Sequence, residues 1–146
     1  MNRFAVVVAL FAFAAFVSPV SAADVDLEKA KCPVSGQPVS EEASVDYKDA
    51  KVYFCCNNCK GKFEKDSKPF ETKANAQLVA TKQYVQKGCP ISGQALNEET
   101  KTEVDGVEVC FCCFNCKGKV DQAEKDEKLK IVFAPAAFAK AFKLAR

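Results

Sequence analysis

The chain contains the same cysteine-rich segment twice. Residues 53–63 read YFCCNNCKGKF, and residues 110–120, which lie 57 positions further on, read CFCCFNCKGKV. The same offset places the CPVSG segment that begins at Cys32 onto the CPISG segment at Cys89. An offset that holds over separate segments without a gap indicates an internal duplication. We therefore expect two copies of one small unit, each of which presents a cluster of thiols.

Neither copy is long enough to form a large core alone. Small units with few large apolar residues need additional stabilisation, so we expect a metal ion, a disulfide or the neighbouring copy to provide it. The predicted divisions are a signal peptide at 1–22, a lead-in at 23–31, a first unit at 32–70, a linking helix and strand at 71–88, a second unit at 89–126, and a C-terminal strand and helix at 127–146.

The N-terminal segment is typical of a cleavable secretory signal peptide. One positive charge at Arg3 precedes an apolar run, and small residues follow at Ser21 and Ala22. The run is short for a membrane span and acidic residues follow at once, so an uncleaved anchor is the weaker alternative. We predict cleavage after Ala22, a secreted or periplasmic protein, and no membrane attachment after cleavage. The balanced charge gives no electrostatic case for nucleic acid.

Each unit is predicted to contain a tight turn, a hairpin and a helix. In the CPxSG segments, proline fixes φ and glycine accepts the reversed conformation that closes a turn. The stretch 104–107 reads VDGV, a strong hairpin signal, and the equivalent stretch 47–50 is a weaker one. The second strands are expected to run from Val52 to Cys55 and from 109 to 112. Helices follow, with predicted caps at Asn57 or Asn58 and at Asn115.

Outside the repeated segments the copies diverge. The linking region predicts a helix over 70–81, with Leu78 and Val79 on its apolar side, and a strand over 83–86. The tail predicts a strand over 129–133 and then a helix that begins at Pro135. The helix is expected to carry Phe138, Phe142 and Leu144 and to dock against the units. Together these elements predict an α+β fold.

The cysteines of each unit come from a turn and from the junction of a strand with a helix. Small metal-binding fingers gather thiolates around one ion in this way. The helix N-terminus favours the thiolate, which is the form that binds metal or attacks. The chain has nine cysteines and no histidine, so sulfur dominates the available metal ligands.

The order CPVxG, hairpin, YxFCxxxC and KxKF resembles the YHS domain and the related TRASH domain. These are treble-clef-like modules implicated in metal sensing and trafficking, and the resemblance covers 32–70 and 89–120. It implies metal ligands at Cys32, Cys55 and Cys59 in the first unit and at Cys89, Cys112 and Cys116 in the second. The chain departs from the family where many members have another cysteine, because it has Ser35 and Ser92 there.

That departure leaves the metal and the ligand set open. A structural zinc ion normally takes four protein ligands, whereas three thiolates suit Cu(I) or another soft ion. Cys56 and Cys113 are auxiliary candidates, because each forms a CxxC pair with the last cysteine of its cluster. If the strand continues through Cys55, alternation places Cys56 on the opposite face. Cys110 occurs only in the second copy and is an auxiliary ligand, a redox partner, an intermolecular crosslink or a small buried apolar residue.

These features predict an exported metal-binding protein that uses Cu(I) or Zn for trafficking, sensing or storage, and not an enzyme. One alternative is a structural or interaction module stapled by disulfides, such as Cys32 to Cys55 or Cys59, since export leads to an oxidising compartment. A weaker alternative is a thiol-disulfide oxidoreductase that uses the 56–59 or 113–116 pair. The expected partners are the metal ion and another protein bound through the thiols or the C-terminal helix.

Overall fold

The computed structural model describes residues 25–145, and the fold is mixed α+β, as predicted. The predicted signal peptide at 1–22 lies outside the described residues. In chain order the elements are β1 (Ser40–Tyr47), β2 (Ala50–Phe54), α1 (Asn57–Lys65), a 3₁₀ turn (Lys68–Phe70), α2 (Glu71–Ala80), β3 (Tyr84–Gln86), β4 (Asn97–Val104), β5 (Val107–Phe111), α3 (Phe114–Asp121), α4 (Lys125–Phe133), α5 (Pro135–Ala141) and β6 (Phe142–Leu144). None of the helices described between 25 and 145 is long and apolar enough to cross a membrane.

The duplication produces the same hairpin in each unit. β1 pairs with β2 and β4 pairs with β5, both antiparallel. At the first tip, Lys48 and Asp49 have φ of 53° and 60°, and at the second, Asp105 and Gly106 have φ of 52° and 85°. Two consecutive residues with positive φ are the requirement of a tight type I′ turn. Both predicted hairpins are therefore present, including the one with the weaker turn signal.

The linking region joins the two units into one body. α2 packs against α4, and β3 pairs antiparallel with β6, with Val85 opposite Lys143. The predicted linking helix is present, with Leu78 fully buried and Val79 partly buried against the core. One core cluster contains side chains from both units and from the linking region, among them Phe54, Phe63, Leu78, Phe111, Val120 and Phe133. Each copy thus supplies apolar contacts that the other needs.

The strand predicted over 129–133 is wrong, because this stretch belongs to helix α4. Leu129, Val132 and Phe133 are its buried residues, and their spacing places them on one helical face. The helix predicted from Pro135 is present as α5, but it ends at Ala141.

The last predicted helix positions form a strand instead of extending α5. Phe142 and Leu144 lie in β6, where pairing with β3 satisfies their backbone groups. The tail aromatics do dock inside the molecule: the ring of Phe138 lies 4.9 Å from that of Tyr84 and 5.3 Å from that of Phe142. The C-terminal segment therefore closes the core rather than forming a separate helix.

Candidate metal centres

Each unit brings three cysteine sulfurs together. In the first unit these belong to Cys32, Cys55 and Cys59, and all three Sγ atoms lie within 4.8 Å of one another. The Cys55 and Cys59 sulfurs are 3.6 Å apart. The second unit repeats the group with Cys89, Cys112 and Cys116, again within 4.8 Å, and the last two sulfurs are 3.7 Å apart. These are the six residues that the sequence singled out.

Such separations are those of sulfurs that could share one ion. A metal–sulfur bond is about 2.3 Å long for zinc, so two sulfurs on opposite sides of an ion are at most about 4.6 Å apart. The separations of 3.6 and 3.7 Å lie inside this limit. The two sulfurs at each strand–helix junction can therefore share one ion, and the third sulfur of the group lies within 4.8 Å of both.

A backbone turn holds the first sulfur of each group. The Cys32 N–H donates to the Gln37 carbonyl at 2.8 Å, and the Gly36 N–H donates to the Cys32 carbonyl at 2.8 Å. Gly36 has a φ of 75°, a conformation that favours glycine. The turn at Cys89 has the same two bonds, at 2.9 and 2.7 Å. The predicted tight turns are present and orient Cys32 and Cys89 towards the strand–helix junctions.

The predicted asparagine caps are wrong. Helix α1 begins at Asn57, and its N-cap is Cys56, whose extended backbone has a φ of −164°. The Cys56 carbonyl accepts the N–H of Lys60 at 3.1 Å, which is the first hydrogen bond of the helix. Asn57 is therefore already inside the helix and does not cap it. Cys113 is the N-cap of α3 in the same way. The junction thus places a cysteine at each helix start.

The predicted continuation of the strand through Cys55, which was the condition for placing Cys56 on the opposite face, is wrong. Strand β2 ends at Phe54, and Cys55 lies in a bend, so strand alternation does not reach Cys56. The two neighbouring sulfurs are 3.8 Å apart. Cys56 and Cys113 nevertheless lie outside the two groups whose three sulfurs are all mutually close.

The electrostatics of the two groups favour one thiolate in each. Burial raises the pKa of Cys32, but the Ser35 hydroxyl and the backbone N–H groups around it outweigh this effect and lower the pKa to about 7. Burial and the neighbouring thiols raise the pKa of Cys59 to about 12. Cys89 and Cys116 repeat these shifts, to about 7 and about 12. A bound cation is what would allow the remaining thiols of each group to ionise.

A serine hydroxyl lies against each group at the position where the sequence lacks a further cysteine. Ser35 Oγ is 3.2 Å from Cys55 Sγ, and Ser92 Oγ is 3.1 Å from Cys112 Sγ. A hydroxyl can donate a hydrogen bond to a thiolate and so support it from outside the ion. The surroundings therefore offer three sulfurs and one hydrogen-bond donor per unit.

Two glutamines from the linking region, one buried and one partly buried, fix the backbone beside the cysteines. Gln77 is 3% exposed, and its Oε1 accepts the Tyr53 N–H at 2.7 Å. Its Nε2 donates to the carbonyls of Tyr53 at 2.8 Å and Lys31 at 2.9 Å. These bonds join the strand that leads to Cys55 with the residue that precedes Cys32.

Gln86 does the same for the second unit from a different element. Its Oε1 accepts the Cys110 N–H at 2.9 Å, and its Nε2 donates to the carbonyls of Cys110 at 2.6 Å and Gly88 at 3.0 Å. Tyr53 and Cys110, like Lys31 and Gly88, are separated by the repeat offset. The glutamines are not, since one lies in α2 and the other in β3. Neither glutamine can be identified from the sequence alone, because no repeat or motif marks them.

Two of the side-chain differences between the centres change the surroundings of the second one. Cys110 is buried, and its Sγ donates to the Asn97 carbonyl at 2.8 Å, outside the three-sulfur group. Phe114, which stands where the first unit has Asn57, is 63% exposed beside Cys113. The two centres therefore share their sulfur geometry but not their surface.

No family model, curated protein or solved structure matches the chain. Functional inference therefore depends on the geometry of the two cysteine groups.

Proposed function

We propose that the protein binds one soft metal ion in each unit, with Cu(I) the best fit. The ligands of the first ion would be Cys32, Cys55 and Cys59, and their repeat equivalents would hold the second. The observation that carries this proposal is the convergence of three sulfurs within 4.8 Å in both copies.

The chemistry of the donors favours Cu(I) over zinc. Soft thiolates select soft ions, and three of them satisfy Cu(I), whereas closed zinc sites take four protein ligands. A hydroxyl, that of Ser35, lies 3.2 Å from the Cys55 sulfur, and the chain has no histidine. Zinc is the second candidate and would require a further ligand, such as water or Cys56.

The biological role that fits such centres is trafficking, sensing or storage of the metal by a secreted or periplasmic protein without enzymatic activity. The signal-like N-terminus and the resemblance to YHS and TRASH domains support this role. The order of turn, hairpin and helix around each cysteine group supports a treble-clef-like unit. Molecules that donate or accept the metal, whether proteins or small thiols, would be the natural partners.

The test is a count of bound ions on the reduced full-length protein. Anaerobic titration with Cu(I), and separately with Zn(II), against a chromogenic chelator gives the affinity, and native mass spectrometry gives the number of ions. We expect two Cu(I) ions per chain, a loss of one ion in Cys59→Ser and in Cys116→Ser, and no loss in Cys110→Ser, which is the matched control. Binding of neither metal would refute the proposal.

The same preparation separates the competing functions. Peptide mapping of protein freshly exported and alkylated without reductant identifies which cysteines are bonded. Disulfides among the grouped cysteines, together with no bound metal, would favour a disulfide-stapled module. Catalysis of insulin reduction would favour a thiol-disulfide oxidoreductase instead.

A further inference from the structure

We propose that Cys56 is the exchange thiol of the first metal centre, through which the ion passes to and from a low-molecular-mass thiol such as reduced glutathione. This inference rests on the proposed function. It assigns a role to the adjacent cysteine that the three-sulfur group leaves unused. Cys56 binds the ion only during transfer and is not one of its resting ligands.

The resting ligands are poorly accessible from solvent. Cys32 is 1% exposed and Cys59 is 7% exposed, while Cys55 is partly buried against the core. Cys56, by contrast, is exposed. Ligand exchange at a thiolate-bound ion requires the incoming sulfur to reach it, so the three ligands alone would exchange slowly. Cys56 provides the accessible sulfur at the edge of the group.

Cys56 is also close enough to share the ion with a resting ligand. Its Sγ lies 3.8 Å from the Sγ of Cys55. Two sulfurs can bind one ion at separations up to about 4.6 Å, which is twice a typical metal–sulfur bond. The backbone at Cys56 is fixed by the bond from the Lys60 N–H to its carbonyl. A transient bond to Cys56 therefore requires only rotation of its side chain.

The transfer step is a ligand exchange with no change of oxidation state. The Cys56 thiolate bonds to Cu(I) and displaces one external thiolate, which leaves and takes a proton from solvent. The ion arrives bound to three external thiolates, and Cys55 and Cys59 displace the second and the third, each giving up a proton that the leaving thiolate takes. Cys32 then displaces Cys56, so four copper–sulfur bonds form and four break. Each copper–sulfur bond formed is balanced by one broken, and release of the ion follows the same steps in reverse.

A small thiol is the favoured partner because the surface around Cys56 is polar. Asn57 and Asn58 are both exposed, and the one large apolar side chain exposed between residues 25 and 145 is Phe114, in the other unit. A protein partner would need an apolar anchor beside the thiol. A soluble thiol needs only access to the sulfur.

The second centre supplies an internal comparison. Cys113 lies 3.7 Å from Cys112, as in the first unit, but it is half-buried and packs against the core. The same transfer step is therefore less accessible at this centre. We expect the first ion to exchange faster than the second.

The experiment follows the release of Cu(I) from the reduced, doubly loaded full-length chain after rapid mixing with excess glutathione. The sulfur-to-metal charge-transfer absorbance should decay in two phases. Cys56→Ser should retain both ions and the equilibrium affinity, yet slow the fast phase by at least about tenfold. Cys113→Ser should change only the slow phase, and Cys110→Ser should change neither.

Several outcomes overturn the inference. An unchanged fast phase in Cys56→Ser would show that exchange does not use this thiol. Loss of one ion, or much weaker equilibrium binding in that variant, would show that Cys56 is a resting ligand. Release to glutathione that needs a partner protein would show that the accessible thiol is not sufficient. If the wild-type chain binds no ion at all, the proposed function fails as well, whereas the first three outcomes leave it intact.

Discussion

Replacing Gln77 by alanine should destabilise the protein strongly, although Gln77 is not a metal ligand. Its amide joins the backbone at Tyr53, two residues before Cys55, to the backbone at Lys31, next to Cys32. The substitution removes three hydrogen bonds of 2.7 to 2.9 Å in the interior. At about 1 kcal/mol of net stability per bond, the expected loss is about 3 kcal/mol.

Gln83 provides a matched control, because it also bonds the backbone of β2. Its Oε1 accepts the Lys51 N–H at 2.7 Å, and its Nε2 donates to the Lys51 carbonyl at 2.7 Å and to Thr81 Oγ1 at 2.9 Å. The two bonds to Lys51 face solvent, so water can replace them in an alanine variant. We therefore expect Gln83→Ala to cost less than about 1 kcal/mol.

Urea denaturation of the reduced, metal-free chain measures both losses, provided that unfolding is two-state. The metal titration then shows whether the substitution affects the metal centre. Gln77→Ala should lower the affinity for the first ion and leave the affinity for the second unchanged, because Gln86 supports the second centre. Equal destabilisation by Gln77→Ala and Gln83→Ala would refute the role given to burial. Equal loss at both centres would refute the assignment of Gln77 to the first.

Three further predictions concern the turn and its thiolate. Ser35→Ala should raise the pKa of Cys32 and weaken the first ion by about tenfold, measured by chelator competition; unchanged affinity would contradict a supporting role for the hydroxyl. Because the pKa of Cys32 is lowered to about 7, protons compete with the ion below that pH. Below that pH, protonation of Cys32 should add up to about a further tenfold rise in the dissociation constant per pH unit to the rise that protonation of Cys59, with its pKa of about 12, already causes; a flat profile would contradict thiolate ligands. Gly36→Ala, at a φ of 75°, should lower the free energy of unfolding by about 1 to 2 kcal/mol. Gly61→Ala, inside α1 with no atom near the added Cβ, should raise it by about 0.5 to 1 kcal/mol. Denaturation midpoints that move in the same direction in both variants would contradict this.

The repeated part of the fold could be predicted because local rules determine it. The duplication aligned both turns and both hairpins, and the positive φ values that an Asp-Gly turn requires occur at Asp105 and Gly106. The same alignment identified all six grouped cysteines, which the two turns and the two strand–helix junctions bring together. Local chemistry and the repeat were sufficient here.

The rest depends on contacts that the sequence does not display. A short apolar run such as 129–133 fits a strand or a buried helix equally well, and packing against α2 selects the helix. Strand β2 ends at Phe54, one residue before its predicted end at Cys55, and the sulfurs of Cys55 and Cys56 lie 3.8 Å apart. No residue propensity specifies this difference of one residue. Gln77 and Gln86 lie in the linking region, and each bonds the backbone of one unit. Their positions are not related by the repeat offset, so only the assembled structure reveals their roles.

The most direct test of the account is X-ray absorption spectroscopy of the full-length protein loaded with Cu(I). Only sulfur atoms should be bonded to copper, about three per ion, as the two groups of three cysteines imply. Cys56→Ser should give the same spectrum. Nitrogen or oxygen atoms bonded to copper, or a sulfur count that falls in this variant, would contradict coordination by the three grouped cysteines.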